Sequence, residues 1–252
     1  METRLWKKCN LLDELTNGLD ADIITTLYGP SGSGKSNICL ILTAEIAKTK
    51  KVIYIDTEGG FSLERIKQIN FEYEKIIDNI ILLKPMNFEE QIKSMRVLQN
   101  MIDEKVGIVI IDTISMLYRL EFGNQEEIYE LNRALGRQLG LLTEIARKNN
   151  IPVLLTNQVY ANFENPGQVN MVGGDLLKYS SKCLIELRKL QSGIRNAVIR
   201  KHRSLPEGRE INFKIINEGI QIIKTLDDIN NENNEKRETQ DEFNDFMVKR
   251  SE

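Results

Sequence analysis

Gly29-Pro30-Ser31-Gly32-Ser33-Gly34-Lys35-Ser36 is the stretch that decides how the rest of this chain is read. A glycine, four residues and then Gly-Lys-Ser is the spacing of a phosphate-binding loop. Ahead of it, Ile23-Ile24-Thr25-Thr26-Leu27-Tyr28 is apolar and β-branched, the pattern of a strand. Behind it, Asn37 to Lys48 carries Ile38, Leu42 and Ile46 at helical spacing. Strand, loop and helix in that order form the setting such a loop requires. Its glycines let backbone N–H groups turn inward around a polyphosphate, and the helix start adds unpaired N–H groups and a positive dipole end. Residues Gly29 to Asn37 are therefore expected to hold a nucleoside triphosphate. Lys35 would reach the β- and γ-phosphates, and the Ser36 hydroxyl would complete the shell of a Mg²⁺ ion.

The same alternation continues outward. Val52 to Ile55 reads as a strand ending in Asp56-Thr57-Glu58-Gly59-Gly60, followed by a helix around Leu63 to Ile69 and a strand at Ile80 to Leu83. Phe88 to Lys105 is amphipathic, Val106 to Ile111 is a continuous apolar strand closed by Asp112, and Gln125 to Asn149 is a long helix. A strand at Pro152 to Thr156 ends in Asn157-Gln158. Apolar strands alternating with helices predict an α/β fold with a mainly parallel sheet covered on both faces. From Cys183 the candidates crowd together, at 183–187, 197–200, 211–215 and 220–223, and predict an antiparallel extension at one edge. Leu11 to Leu15, in the lead-in of residues 1–22, reads as a helical turn packed on this core.

Three strand ends carry chemistry. Asp112 can hold Mg²⁺ opposite Ser36, or cap a following helix. Glu58, beside two glycines, can act as the base that orients or deprotonates water attacking a γ-phosphate, or stand in a solvated loop. Gln158 can contact the γ-phosphate through its amide and report its presence to the residues that follow.

Composition narrows the function classes. No apolar run is long enough for a membrane span, and Met1 to Trp6 lacks the apolar core of a signal peptide, so a cytoplasmic protein is expected. Cys9, Cys39 and Cys183 are scattered without metal-ligand spacing, as free thiols are. The net charge of −3 is unevenly spread: residues 226–252 hold nine acids against four bases, and form a polar tail expected to be mobile. In that tail Phe243, Phe246 and Met247 would share one helical face. The core is then residues 1–225. Within it, Arg188 to Arg209 is rich in Lys and Arg, and Arg200-Lys201-His202-Arg203 is its densest run. Such a run can hold nucleic-acid phosphates without reading sequence, or simply solvate a strand end.

Taken together, these segments resemble the RecA/RadA recombinase superfamily, and within it the archaeal RadB paralogues. The likeness is carried by Leu12-Asp13-Glu14-Leu15, the phosphate loop, Tyr54 to Gly59 with Glu64-Arg65-Ile66, Ile108 to Thr113, Thr156-Asn157-Gln158-Val159 and Leu205-Pro206-Glu207-Gly208. It implies a RecA-type core, ATP with Mg²⁺, and DNA as partner. It also implies Arg65 against the adenine, and DNA-facing loops after Asp112 (residues 116–124, including Arg119) and after Gln158 (residues 160–174). The strand-exchange members of archaea carry an N-terminal helix–hairpin–helix domain and a Phe-x-x-Ala tether for the neighbouring subunit. The 22 residues or so ahead of the first expected strand are too few for that domain, by the apolar pattern. Homo-oligomers remain open, but a stable filament and strand exchange by this chain alone are not expected. The resulting expectation is a weakly ATP-hydrolysing, DNA-binding accessory of recombination and repair that regulates the main recombinase or junction processing, with the main recombinase and other recombination proteins as partners. Two alternatives stand beside it: an ATP-dependent switch acting on protein partners without DNA, and an adaptor that holds ATP without turnover.

Overall fold

Successive residues of the central strands point into opposite cores. Val52 and Tyr54 pack on one side and Ile53 and Ile55 on the other, as do Ile108 and Ile110 against Val109 and Ile111. Both faces of the sheet are therefore apolar and both must be covered. The computed structural model describes residues 5–6, 9–121, 123, 125–161 and 169–223.

In chain order the elements are β1 (Leu5–Trp6), α1 (Asn10–Thr16), β2 (Leu19–Asp20), β3 (Ile24–Tyr28), α2 (Lys35–Ile46), β4 (Lys51–Asp56), α3 (Leu63–Ile69), β5 (Ile80–Leu83), α4 (Phe88–Met101) and β6 (Val106–Asp112). There follow α5 (Met116–Leu120), α6 (Gln125–Asn149), β7 (Val153–Asn157), β8 (Val159–Ala161), β9 (Val169–Met171), α7 (Gly174–Ser180), β10 (Cys183–Lys189), β11 (Arg195–Lys201), β12 (Glu210–Ile216) and β13 (Gly219–Ile223). One sheet of nine strands runs β13-β12-β11-β10-β3-β7-β6-β4-β5. From β10 to β5 all neighbours are parallel, and from β10 to β13 all are antiparallel. Side chains of α1, α2 and α3 fill one core, and those of α4 to α7 fill the other. This is the RecA-like fold that the sequence predicts, with its antiparallel extension on the β10 side.

Two differences have local causes. α4 stops at Met101 and not near Lys105, because Ile102 turns to an extended conformation and the Asp103 side chain accepts from the Lys105 N–H. An Asp that bonds its own backbone two residues on favours a turn over another helical residue. The short α5 and α7 and the β8–β9 hairpin lie in stretches whose few residues give no readable period. The stretch 226–252, with its Phe243-Phe246-Met247 face, lies outside the described residues, as does the middle of the 160–174 segment. Among the described residues no helix is long and apolar enough to cross a membrane.

Candidate nucleotide site

The sheet order places the phosphate loop at the centre. β3 lies between β7 and β10, so the loop leaving Tyr28 emerges beside the ends of both. In open parallel sheets, groups that meet a ligand collect at these carboxyl ends. The Gly29 N–H donates to the Asn157 carbonyl at 3.3 Å, tying the loop to β7. On the other side the loop runs against β10, where a Cβ on Gly29 would stand 2.2 Å from the Leu187 carbonyl oxygen. Neither backbone can yield easily. Gly29→Ala is therefore expected to cost about 1–3 kcal/mol of stability; a thermal melt checks this, and an unchanged melting temperature contradicts it.

Gly34, in the left-handed region at φ 104°, is the N-cap of α2 and aims the first helical N–H groups at the loop. Lys35 is buried, and its Nζ donates to the carbonyls of Gly29 (2.9 Å) and Pro30 (3.0 Å). Burial pushes the Lys35 ammonium pKa down, while the Glu58 and Asp112 charges push it back up.

Asp112 is buried at the end of β6, and each of its oxygens has a donor. Tyr54 Oη donates to Oδ2 at 2.8 Å, and Thr156 Oγ1 to Oδ1 at 2.5 Å. Burial above all keeps the Tyr54 hydroxyl pKa well above its usual range, so it stays a donor. Ser36 Oγ and Asp112 Oδ2 lie 3.7 and 3.8 Å from one common point, the place where a Cβ on Gly60 would stand. A hydroxyl and a carboxylate opening on the same side-chain-free gap suit a magnesium ion, which takes oxygen ligands and keeps several waters. The gap owes its shape to Asp56, whose carboxylate accepts from the N–H groups of Glu58, Gly60 and Phe61 and so folds the turn after β4.

Glu58 and Gln158, expected from separate strands, are one bonded pair. Gln158 Nε2 donates to Glu58 Oε1 at 2.7 Å, and Thr113 Oγ1 donates to the same oxygen at 3.1 Å. Glu58 Oε2 has no protein partner among the described residues. Gln158, Glu58, Lys35, Ser36, Asn37 and Gly34 border one open cavity of about 220 Å³. Its remaining walls include Arg195 and Ile215, which the sequence had offered only as part of a basic stretch and an edge strand. Nothing local signals them; they arrive through the pairing of β10 to β12.

Arg65, which the resemblance set against the adenine, is heavily engaged. Its guanidinium donates to the carbonyls of Ile216 (2.7 Å), Asn217 (2.8 Å) and Gly219 (3.3 Å) and to Asn37 Oδ1 (3.3 Å). It clamps the β12–β13 turn onto α2 and α3 through Nη1 and Nη2, while its buried Nε has no partner among the described residues.

The run 200–203, expected to face DNA, is engaged within the fold. It forms no strip of free cations. Arg200 Nε donates to Glu186 at 2.6 Å, and Lys201 Nζ to the carbonyls of Lys178 (2.6 Å) and Ser181 (2.8 Å). Arg203 pairs with Asp20 at 2.8 Å and with Asp22 at 2.9 Å. Burial lowers the His202 pKa, and its Nδ1 accepts from the N–H groups of Ser204 and Leu205, so the ring is a neutral acceptor closing a turn. Burial alone would raise the Glu186 pKa, but hydrogen bonds from Arg188 and Arg200 outweigh it and hold the carboxyl below its usual value. These side chains join β10, β11 and the start of the core to one another.

Arg119, by contrast, is exposed at the end of α5 and makes no ion pair among the described residues. It lines a cleft of about 420 Å³ with Tyr118, Tyr160, Met171, Val172, Gly173 and Gly174. Tyr160 is half exposed there. The segments following Asp112 and Gln158 thus meet at one place. Ser115 Oγ bonds to Asn157 Oδ1, and Asn157 Nδ2 donates to the Val172 carbonyl at 2.8 Å, linking both segments to the end of β7.

Comparison with known proteins agrees with this geometry. The model of the family described as Rad51 matches residues 4–223. The chain is 42% identical over 219 residues to a protein of Methanobrevibacter smithii named DNA repair and recombination protein RadB, covering 84% of this chain and 91% of that one. It is 40% identical over 224 residues to the protein of the same name from Methanococcoides burtonii, covering 88% and 99%. Among solved structures, one titled "Crystal structure of the RadB recombinase" superposes with a TM-score of 0.75 at 35% identity, covering 88% of this chain and 100% of that one.

Proposed function

The chain belongs to the Rad51 family, whose RadB members are its relatives over most of its length, and on that premise we propose that it is an ATP-dependent accessory protein of DNA recombination and repair. It binds ATP with Mg²⁺ at the phosphate loop, hydrolyses it slowly, and binds DNA without sequence preference. The observation that carries this reading is the hydrogen bond between Glu58 and Gln158 at the edge of the loop.

Ser36 and Asp112 would hold a magnesium ion, which would supply positive charge against the phosphates. Gly29 to Asn37 present backbone N–H groups to the phosphates. Lys35 exchanges its two carbonyl partners for phosphate oxygens. Glu58 orients water and accepts its proton. Gln158 donates either to Glu58 or to a terminal phosphate, so its choice of partner reports whether that phosphate is there. Because Gln158 is followed at once by β8, the report reaches the segment that carries Tyr160. This is an order-changing switch driven by a terminal phosphate.

DNA is placed on the Arg119–Tyr160 cleft. A guanidinium free of acids beside an exposed ring offers both a phosphate contact and a stacking platform, neither of which depends on base identity. The contacts at 200–203 do not carry the affinity: Lys201→Ala with Arg203→Ala is expected to lower the melting temperature while changing DNA affinity less than threefold, roughly. Arg119→Ala with Tyr160→Ala is expected to weaken binding at least tenfold, with each lost stacking contact worth about 1–3 kcal/mol. Titration of a labelled single strand against the two double variants checks both, and the opposite order of effects refutes the placement. The main recombinase is the expected protein partner.

Release of phosphate from Mg·ATP, with and without single-stranded DNA, tests the enzymatic part. Turnover below about 10 s⁻¹, a median enzyme rate, and faster with DNA, supports the reading. No release above the Lys35→Ala background would leave an ATP-holding adaptor, and release indifferent to DNA would favour the protein-only switch.

A further inference from the structure

The β10–β11 hairpin reaches across to the phosphate loop and brings two cations with it. Arg195, the first residue of β11, donates Nε to the Gly32 carbonyl at 3.3 Å and Nη1 to the Gly193 carbonyl at 2.9 Å. Its Cδ lies 3.5 Å from where a Cβ on Gly34 would stand. Lys189, the last residue of β10, holds its Nζ 3.6 Å from the equivalent point on Gly32.

Neither side chain has a carboxylate within ion-pair distance among the described residues. The nearby Arg188, Arg200 and Arg203 all do. Two uncompensated cations therefore stand over a loop whose own N–H groups already attract an anion. An arginine that is half-buried, oriented by two carbonyls and free of acids is prepared for a phosphate. Position also says which one. Arg195 stands over Gly34 together with Ile215 and Phe213, at the N-cap of α2, where the helix gathers negative charge. It forms no ion pair with Glu58, which marks the terminal-phosphate side.

We infer that Arg195 is a nucleotide-binding residue supplied by the chain to its own site, gripping the diphosphate part of the bound nucleotide, with Lys189 adding positive field from outside. The inference rests on the nucleotide reading above and deepens it. It makes a specific claim about assembly: the phosphate loop receives its arginine in cis, from the antiparallel extension, so binding of ADP needs no second copy of the chain.

Calorimetric titration of the full chain with Mg·ADP and with Mg·ATP tests this, using wild type, Arg195→Ala, Arg195→Lys and Lys35→Ala. Arg195→Ala is expected to weaken both nucleotides about tenfold or more, the size of one charge-assisted contact. Arg195→Lys should recover part of the loss, because the charge remains while the fork is gone. Wild-type affinity for ADP should not change with protein concentration. Wild-type affinity in Arg195→Ala, with Lys35→Ala still impaired, overturns the role of Arg195 and leaves the site standing. A loss confined to ATP overturns the diphosphate assignment. If wild type binds neither nucleotide, the nucleotide reading itself falls, and Arg195 with it. Melting of each variant without nucleotide separates charge from folding: rescue by Arg195→Lys without a change in melting temperature excludes a merely structural role.

Discussion

Glu58→Gln should cut phosphate release by about 10²–10⁴, the usual contribution of a positioned general base, while leaving nucleotide affinity near that of wild type. Both donors to Glu58 Oε1, Gln158 and Thr113, can still bond to the amide oxygen of a glutamine, so the turn after β4 and its link to β7 should survive. What disappears is the charge and the proton-accepting oxygen that no protein group occupies. Single-turnover release and ADP titration on the same preparation separate the two effects. Turnover at the wild-type rate would remove Glu58 from the reaction and favour a chain that uses ATP only as a ligand.

Lys35→Ala should impair both nucleotide binding and phosphate release. Hydrogen bonds to a charged group are worth about 1.5–3 kcal/mol each. If Lys35 reaches two phosphates, as proposed, its loss should weaken Mg·ATP by roughly 10²–10⁴. In the described conformation this side chain is buried against the loop's own carbonyls. Its ammonium is thus held close to where the phosphates would lie, and the rearrangement on binding is short. Burial lowers the pKa of its ammonium, and the charges of Glu58 and Asp112 offset part of that lowering. Retained affinity in Lys35→Ala would mean that the nucleotide, if it binds, binds elsewhere.

How far these residues could be read from the chain depends on the range of the interactions that place them. The phosphate loop, the strand before it and the helix after it obey local rules, and Asp112, Glu58 and Gln158 each follow an apolar run that announces a strand end. Their partners obey no such rule. Tyr54 sits in an apolar strand and looks like a core residue, yet its hydroxyl holds Asp112 from the neighbouring strand. Thr156 does the same from the other side. Arg195 reaches the loop only because β11 pairs with β10 and β10 with β3. The ion pairs of the basic run were illegible for the same reason. Counting charges along the chain sees Arg200 and Arg203 together, but the acids that neutralise them, Glu186, Asp20 and Asp22, stand on other segments. Cross-strand pairing ties this run to acids on other segments, whereas Arg119, Lys189 and Arg195 have no such acid among the described residues.

The central claim is that nucleotide state governs DNA binding. Its most direct test is DNA affinity measured against salt concentration for the wild-type chain, with no nucleotide, with Mg·ADP and with Mg·ATP. Affinity should fall steeply with salt in every case, as phosphate contacts require, and should be tighter with Mg·ATP than with Mg·ADP. Identical curves for the three nucleotide states, or no binding at low salt, would contradict it.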